Sequence, residues 1–366
     1  MKFLTVLPAL CVLLFRAGGI KAEDQAYNFD EDNIDLEDED KASYETRCWG
    51  ELGCFDNSIG DRLPSEPDSI PPNYLLFPHD TGIKMSWEDT VDDLRNKTIG
   101  RFDEERRLIF LTHGFGESLG KQWIWNLRNA TFKAYPNSNV VIIDWGKGAY
   151  LPLYNRAAAN VPMIANMTMR LTSKLMSIYP TIKAENIYFI GFSLGAQMAG
   201  YFARTFTNQT GTKIGRITSL DAAAPNFHSL NIAPRRGDAD FVEAIHTSAG
   251  DNIITGKVGY VPPYADIDFY PNGGIKQPGC PFFHLPCSHQ RAFVYLTHAL
   301  EDLAGCQFRG VRCATVEEAN KENCTGPAVD AHIGQVDLEK FTRLDDDYHI
   351  VYLKTTSKSP FCTVED

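Results

Sequence analysis

Apolar runs typical of β-strands alternate along the chain with segments of helical periodicity. The runs are rich in β-branched and aromatic residues, whereas the segments between them repeat apolar positions every three to four residues. In chain order the pattern includes RLIFLTHGFG, NVVIIDWG, a helical stretch over residues 161–178, NIYFIGFS, LGAQMAGYFART, IGRITSLDAAAP and ADFVEAIHTS. This order predicts an α/β fold with a mostly parallel central sheet and helices on both faces. In such sheets, functional groups gather at the carboxyl ends of the strands.

The domain organisation is expected to be simple. Residues 1–22 combine an early lysine, a short apolar run and small residues, which predicts a secretory signal peptide. A membrane anchor is the alternative, but the run is shorter than the roughly 18 apolar residues that a spanning helix needs, and no later stretch reaches that length. Residues 23–43 read as an acidic disordered leader. Residues 44–366 show no repeat and no Gly/Ser-rich linker, so we expect one catalytic domain in a secreted, extracellular protein.

The net charge of −12 overstates the acidity of the body of the chain. Residues 23–40 hold ten acidic residues and no basic ones. Removing these and the three basic residues of the predicted signal leaves −5 for residues 41–366. A mildly acidic body without a basic patch gives no indication of nucleic-acid binding.

The cysteine count favours disulfide bonds over a metal site. Nine cysteines become eight without Cys11, an even number, and no C-x-x-C pair is present. We therefore expect no metal and no cofactor. Sequons for N-glycosylation, which fit a secreted glycoprotein, lie at Asn96, Asn129, Asn166, Asn208 and Asn323.

The segment GFSLG, residues 191–195, matches the G-x-S-x-G turn that exposes a serine hydroxyl between a strand and a helix. ENIYFI before it reads as a strand, and LGAQMAGYFART after it reads as a helix with small residues for close packing. Ser193 is therefore the predicted nucleophile, with a purely structural Gly-rich turn as the alternative.

A serine nucleophile needs a base that a carboxylate orients, and in this architecture the chain order is Ser, acid, His. Asp221 ends the next strand-like run, GRITSL, and is the predicted acid; its alternative role is to cap the turn that follows. Rival carboxylates in loops or within strands are Asp238, Asp240, Asp251, Asp266 and Asp268.

His289 is the predicted base. It begins the helical segment HQRAFVYLTHAL directly after a cysteine, so a disulfide would fix the backbone that presents its imidazole. His284 is the second candidate, and a structural histidine at a helix start is the alternative role for His289. His246 lies inside FVEAIHTS and is expected to be a buried, hydrogen-bonded core residue.

The backbone N–H groups of Leu194 and Phe115 are the predicted oxyanion donors. Leu194 follows the nucleophile, and Phe115 lies in the glycine-containing loop LTHGFG after an early strand. We expect His113 in that loop to be an anchor. Asp144 precedes Ser193 in the chain and is expected to be structural, because it falls outside the acid's place in the chain order.

These segments, together with IDWGKGA, LDAAAPNF, DFYPNGGIKQPGC, CSHQRA and the cysteine-flanked RCWGELGCF, closely resemble the animal pancreatic lipase family over nearly all the chain from Cys48 onward. The resemblance implies an α/β-hydrolase fold and the same roles for Ser193, Asp221 and His289. Two features differ from the family pattern. The acid motif reads DAAAP without the usual proline directly after the aspartate. NIAPRRGDADF offers only Asp238 and Asp240 where some members bind calcium, so no calcium is expected.

The resemblance also implies a lid between two cysteines ahead of the catalytic histidine. Here it would be a stub of six residues: Pro281, Phe282, Phe283, His284, Leu285 and Pro286. A stub of this length cannot cover the site. It resembles the short lids of family members that act as sn-1 phospholipases. The segment before DFYPNGG, however, is longer than in those enzymes. The substrate class therefore stays open. We expect Phe282 and Phe283 to contact the lipid–water interface.

Proximity and the resemblance together pair Cys48 with Cys54, Cys280 with Cys287, Cys313 with Cys324, and Cys306 with Cys362. Only 77 residues follow His289, too few for a C-terminal β-sandwich domain, so docking to a colipase-like partner is not expected. The sequence does not indicate an oligomeric state.

The sequence thus predicts a secreted lipid carboxylic-ester hydrolase, either a triacylglycerol lipase or an sn-1 phospholipase, that acts through an acyl-enzyme. The alternative is a non-catalytic lipid-binding or yolk-like storage protein on the same fold. A carrier has no need of a nucleophile, a base and an acid together, which favours the enzyme.

Overall fold

The computed structural model describes residues 44–78, 81–228, 230, 233–250, 252–281, 284, 286–302, 305, 307–335 and 349–363. The predicted signal peptide and acidic leader, residues 1–43, lie outside the described residues. Within the described part, no helix is both long and apolar enough to cross a membrane.

Eleven strands of the described residues form the main sheet. In sequence order the strands of the chain are β1 (Thr46–Cys48), β2 (Cys54–Asp56), β3 (Asn73–Phe77), β4 (Ile83–Met85), β5 (Arg107–Thr112), β6 (Ser138–Asp144), β7 (Ile187–Phe192), β8 (Ile214–Leu220), β9 (Ala239–Ile245), β10 (Ile267–Pro271), β11 (Arg309–Cys313), β12 (Ala328–His332) and β13 (His349–Leu353). The sheet order is β12-β11-β13-β10-β9-β8-β7-β5-β6-β3-β4, while β1 and β2 form a separate hairpin. The seven strands from β13 to β6 are parallel, and both edges are antiparallel. The predicted mostly parallel sheet is confirmed.

Helices cover both faces of this sheet. They are α1 (Val91–Thr98), α2 (Gln122–Ala134), α3 (Tyr154–Ile178), α4 (Leu194–Thr210), α5 (Pro286–Glu301) and α6 (Val316–Asn320). In β5, Leu108 and Phe110 pack into the core that contains α3 and α4, whereas Ile109 and Leu111 pack into the core that contains α2 and α5. Successive side chains of a strand point to opposite faces, so the apolar run of β5 supplies both cores.

Helix α3 is longer than the periodicity predicts. The sequence indicated a helix over 161–178, but α3 begins at Tyr154 and carries Pro162 in its interior. Proline removes one intrahelical hydrogen bond and usually lies near a helix start. The small residues Ala157, Ala158 and Ala159 are buried and extend the packed face of the helix toward its N-terminus.

The β1–β2 hairpin closes on the disulfide bond Cys48–Cys54, whose two residues are also register partners. This is the pairing that the sequence analysis expects for these two cysteines.

A buried ion pair holds β8 beside β9. Arg216 on β8 donates from Nη2 to Glu243 Oε2 on β9 at 2.6 Å, and both side chains are almost fully buried. Arg216 Nη1 also donates to the Gln335 carbonyl at 2.6 Å, and Glu243 accepts from Thr218 Oγ1 and from the Gly334 N–H. Removing one partner of such a pair leaves an uncompensated buried charge.

We therefore expect Arg216→Met to lower the free energy of unfolding by about 3–5 kcal/mol, because Glu243 would lose its counter-charge. Urea denaturation followed by tryptophan fluorescence measures the change. The control is Arg95→Met, whose ion pair with Asp92 is solvent-exposed and should contribute less than about 1 kcal/mol. Equal effects of the two substitutions would contradict the prediction.

Candidate active site

Ser193 is a one-residue turn between β7, which ends at Phe192, and α4, which begins at Leu194. Its backbone has φ 57° and ψ −118°, a strained conformation for a residue with a side chain. The Ser193 N–H donates to the Leu220 carbonyl at 2.9 Å, which ties the turn to the end of β8. Strain held by surrounding structure is typical of functional positions.

Two glycines make this turn possible. A Cβ on Gly191 would lie 2.1 Å from the Gly195 carbonyl oxygen, and a Cβ on Gly195 would lie 2.6 Å from the His113 carbonyl oxygen. Only glycine lets the strand, the helix and the loop after β5 approach this closely. The small residues of GFSLG are therefore required by packing, as the sequence pattern indicates.

The two predicted oxyanion donors belong to segments that adjoin Ser193. Leu194 is the first residue of α4, so its N–H has no acceptor within the helix, and a helix N-terminus favours negative charge. On the other side, a Cβ on Gly114 would lie 2.7 Å from Ser193 Cβ. Phe115 follows directly, with its ring edge-on to Tyr154 at 5.2 Å. The loop that carries Phe115 thus lies against the serine.

His113 anchors this loop, as expected. It is fully buried, its ring stacks on Trp145, and its Nε2 accepts from the Trp145 N–H at 3.1 Å. Asp144 Oδ1 lies 3.3 Å from the same nitrogen. Burial would raise the pKa of Asp144, but the interaction with His113 and the hydrogen bond from the Gly146 N–H outweigh it and hold the pKa below its usual value.

Glu117 is a second anchor that the sequence analysis missed. Its Oε2 accepts from the Gly114 N–H at 3.2 Å, and its Oε1 accepts from Trp123 Nε1 at 3.1 Å. A carboxylate bonded to the backbone beside Ser193 restricts the loop. The only sequence signal was its place three residues after Gly114.

The carboxylate of Asp221 is fully buried at the end of β8. Its Oδ1 accepts from the Thr247 N–H at 2.7 Å and from the Ser248 N–H at 3.1 Å, and its Oδ2 accepts from Ser248 Oγ at 2.5 Å. Oδ2 also lies 2.5 Å from His289 Nδ1. Burial alone would raise the pKa of Asp221, but the bonds to His289, Ser248 and Thr247 outweigh it, so the pKa lies below its usual value and the group is ionised.

The imidazole of His289 lies in the first turn of α5, three residues after the helix begins. Its Nδ1 is paired with Asp221, and its ring packs against Phe192 with the ring centroids 4.5 Å apart. Because Phe192 directly precedes Ser193, the imidazole lies beside the serine turn. Within the described residues, no hydrogen bond joins Ser193 Oγ to His289; such bonds are often long in unliganded sites.

The rival residues lie elsewhere. His284 is exposed in the loop between Cys280 and Cys287. His246 is buried, with Nε2 2.9 Å from Asp268 Oδ1 and its ring stacked on Tyr270, which matches the expected core histidine. Asp238 is ion-paired with Arg204, and Asp266 accepts from the Val242 N–H. Asp240 is an exposed residue of β9, and Asp251 lies outside the described residues.

The segment after β9 completes the acid's environment, which the sequence did not reveal. Thr247 and Ser248 supply three of the donors to Asp221. Gly259 covers the carboxylate so closely that a Cβ there would lie 2.4 Å from Asp221 Oδ1. These residues occur in HTSAG and in a long loop, and nothing in their local pattern indicated that they surround a carboxylate.

Gln277 fixes the backbone that leads to α5. Its side chain is buried; Nε2 donates to the carbonyls of Thr247 and Pro271, and Oε1 accepts from Tyr295 and Asn272. The disulfide bond Cys280–Cys287 closes the loop between this residue and His289. Of the six residues predicted as the lid stub, Pro281, His284 and Pro286 are exposed, whereas Phe282, Phe283 and Leu285 lie outside the described residues.

The remaining predicted sites divide as follows. Cys313 and Cys324 form a disulfide bond, whereas Cys306 lies outside the described residues, and its pairing with Cys362 remains a prediction. Of the sequons, the exposed asparagines are Asn96, Asn129, Asn208 and Asn323.

Asn166 differs from these four sequons. Its Nδ2 donates to the Leu52 carbonyl at 2.8 Å and its Oδ1 accepts from Thr205. A glycan on that nitrogen would displace the Leu52 contact, so the structure disfavours this sequon.

Asp238, one of the two acidic residues of NIAPRRGDADF, forms an ion pair with Arg204. Asp238 Oδ2 accepts from Arg204 Nη1 at 2.5 Å and from the Arg235 N–H at 3.0 Å, and burial raises the pKa of Asp238. Across the described part of the chain, no group of three or more His, Cys, Asp or Glu side chains is arranged to hold a metal ion.

Comparison with known proteins identifies the family. The family model described as Lipase matches residues 60–361. Lipase member H of Xenopus tropicalis is 33% identical over 230 residues, which cover 60% of this chain and 46% of that protein. Phospholipase A1 member A of Rattus norvegicus is 33% identical over 307 residues, covering 79% and 62%. Pancreatic lipase-related protein 2 of Cavia porcellus is 29% identical over 289 residues, covering 76% and 64%.

The chain spans about half the length of the first relative and somewhat under two thirds of the other two. The strand–serine–helix turn, the acid at the end of the next strand and the parallel order of the sheet are those of the α/β-hydrolase fold. The family match extends over most of the chain and confirms the resemblance to pancreatic lipases: the chain belongs to the Lipase family.

Proposed function

We propose that the protein is a secreted lipid carboxylic-ester hydrolase, a triacylglycerol lipase or an sn-1 phospholipase, in which Ser193, Asp221 and His289 form the catalytic triad. The observation that carries the proposal is the buried hydrogen bond between Asp221 and His289 beside the strained Ser193 turn. Relatives named as a pancreatic lipase-related protein and as a phospholipase A1 support both substrate classes.

The reaction begins when His289 Nε2 takes the proton of the Ser193 hydroxyl as Oγ attacks the ester carbonyl carbon. The carbonyl oxygen becomes an oxyanion and accepts hydrogen bonds from the N–H groups of Leu194 and Phe115. When the tetrahedral intermediate collapses, the protonated His289 gives its proton to the leaving alcohol. His289 then activates a water that hydrolyses the acyl-enzyme and regenerates Ser193.

Asp221 holds the imidazole in the required orientation. Because Nδ1 is bonded to the carboxylate at 2.5 Å, Nε2 is the nitrogen left to exchange a proton with Ser193. The low pKa of Asp221 keeps it ionised, so it stabilises the imidazolium that forms in each step.

A lipid surface is the proposed setting for the substrate. Five of the seven large apolar side chains exposed in the described residues lie in loops after β6, β8 and β9, namely Tyr150 (68%), Leu151 (54%), Leu153 (53%), Leu230 (36%) and Ile254 (84%). These strands run parallel to β7, so the loops lie at the sheet edge that carries Ser193. Apolar side chains around an active-site edge favour contact with a lipid phase.

Secretion is part of the proposal. The described disulfide bonds Cys48–Cys54, Cys280–Cys287 and Cys313–Cys324 favour an oxidising compartment, and the exposed sequons support a glycoprotein. The storage-protein alternative has no observation in its favour, since a carrier does not require a base paired with a buried acid.

Ser193→Ala is expected to lower kcat on p-nitrophenyl butyrate by at least about 10⁴-fold, because the nucleophile is lost while the fold is kept. The matched control is Ser177→Ala, an exposed serine in the last turn of α3 that precedes β7, which should retain full activity. Turnover by the Ser193→Ala variant, or no turnover by the wild type, would reject the proposal that the protein is a serine ester hydrolase.

Asp221→Asn is expected to reduce kcat by about 10⁴-fold, since the amide cannot stabilise the imidazolium and favours the wrong tautomer. Asp144→Asn, a matched change of the carboxylate near His113, should cost less than about tenfold, because it acts only on loop position. Stopped-flow kinetics with the same ester measures both, and a reversed order would exclude Asp221 as the acid.

The double variant Tyr150→Ser/Leu153→Ser is expected to reduce adsorption to triolein emulsions about tenfold or more, because each apolar side chain contributes roughly 1.5–3 kcal/mol when buried in lipid. Hydrolysis of dissolved p-nitrophenyl butyrate should stay within about twofold. Ile99→Ser is the control: Ile99 is 66% exposed but precedes β5 at the opposite sheet edge. Equal loss of adsorption in the control would refute a lipid-binding edge.

A further inference from the structure

A cationic groove of about 350 Å³ lies beside the start of α5. Its lining includes Lys257, Lys276, His284, Ser288 and Cys280, and none of the described residues that line it is a carboxylate. Neither lysine forms an ion pair with a described carboxylate. The volume falls in the range of about 300–1,000 Å³ that small-molecule sites occupy. The groove is therefore suited to an anion carried on a small organic group.

The walls of this groove are held rigidly. Lys276 directly precedes the buried Gln277, whose backbone N–H donates to Ser288 Oγ at 3.0 Å. Lys257 belongs to the loop that covers the acid: its stem packs against Gly250, whose N–H donates to the Gly259 carbonyl. Both cations thus project from backbone that is already fixed, which reduces the entropy lost on binding.

The groove is next to the turn of α5 that carries the proposed base. Ser288 lines the groove and directly precedes His289 in the first turn of α5. Under the proposed function, His289 gives its proton to the leaving alcohol, so that alcohol must lie next to the imidazole. A group attached to the leaving alcohol therefore extends toward Ser288 and the groove.

We propose that the groove binds the phosphate of a lipid headgroup, and that the preferred substrates of the site are phospholipids. This rests on the proposed function. When a phospholipid loses an acyl chain, the leaving alcohol carries the phosphodiester, whereas the alcohol that leaves a triacylglycerol carries no charge. Lys257 and Lys276 gain charge-assisted contacts only with the leaving alcohol of the phospholipid, which carries the phosphodiester. The site then discriminates between the two substrates through the leaving group.

The test compares two soluble substrates, monomeric dihexanoyl phosphatidylcholine and dissolved tributyrin, so that adsorption to a surface does not enter. The double variant Lys257→Gln/Lys276→Gln is expected to lower kcat/KM on the phospholipid at least about tenfold, because each charged hydrogen bond is strong in a partly enclosed site. Its rates on tributyrin and p-nitrophenyl butyrate should stay within twofold. Lys147→Gln, an exposed lysine in the loop after β6 that does not line the groove, is the matched control and should behave as the wild type.

Each other outcome has one meaning. An equal loss on all three esters would show a structural role for the lysines and overturn the assignment, as would an unchanged phospholipid rate. Wild-type turnover of tributyrin without phospholipid turnover would also overturn it but leave the proposed function intact, whereas no turnover of any ester would remove the proposed function itself. Millimolar inorganic phosphate should leave p-nitrophenyl butyrate turnover unchanged; strong inhibition would indicate a site for the free anion instead.

Discussion

The buried carboxylate of Asp221 is the constraint on which the rest of the structure depends. An ionised carboxylate without access to water costs several kcal/mol unless it is fully hydrogen-bonded. Here the donors come from two separate parts of the chain, the segment after β9 with Thr247 and Ser248, and helix α5 with His289. The end of β8, the loop after β9 and the start of α5 must therefore meet at one point, and that requirement fixes where His289 lies.

The register of three parallel strands then sets the spacing of the site. Phe192 pairs with Leu220, and Leu220 pairs with Ile245, so the ends of β7, β8 and β9 lie at one level. Ser193 follows β7 and Asp221 follows β8, and both residues have a positive φ. The Ser193 N–H donates to the last residue of β8, and the Asp221 N–H donates to the last residue of β9. Two adjacent turns at this edge of the sheet thus hold strained backbone, while the strands below them remain regular.

The sequence reveals those parts of the site that depend on local pattern and chain order. The strand, turn and helix around Ser193 could be predicted because the glycine, β-branched and small residues there each have a local structural preference. Asp221 could be predicted because it directly follows the next strand. Gly259 and Gln277 could not be predicted, since their roles come from contacts with segments distant in the chain. The same reason applies to Asn166. Its three-residue sequon does not show that its side-chain amide donates to the carbonyl of a residue 114 positions away.

The loop after β6 is packed directly against the loop that carries Phe115. The Gly116 N–H donates to the Ala149 carbonyl at 2.7 Å, Leu151 lies against Gly116, and the Phe115 ring meets Tyr154. The surface proposed to meet lipid and the backbone proposed to bind the oxyanion therefore belong to two loops in direct contact. The two loops are therefore expected to evolve together. A substitution that adapts the exposed loop to a new lipid phase must also fit the loop beside the serine, which limits how freely either loop can diverge.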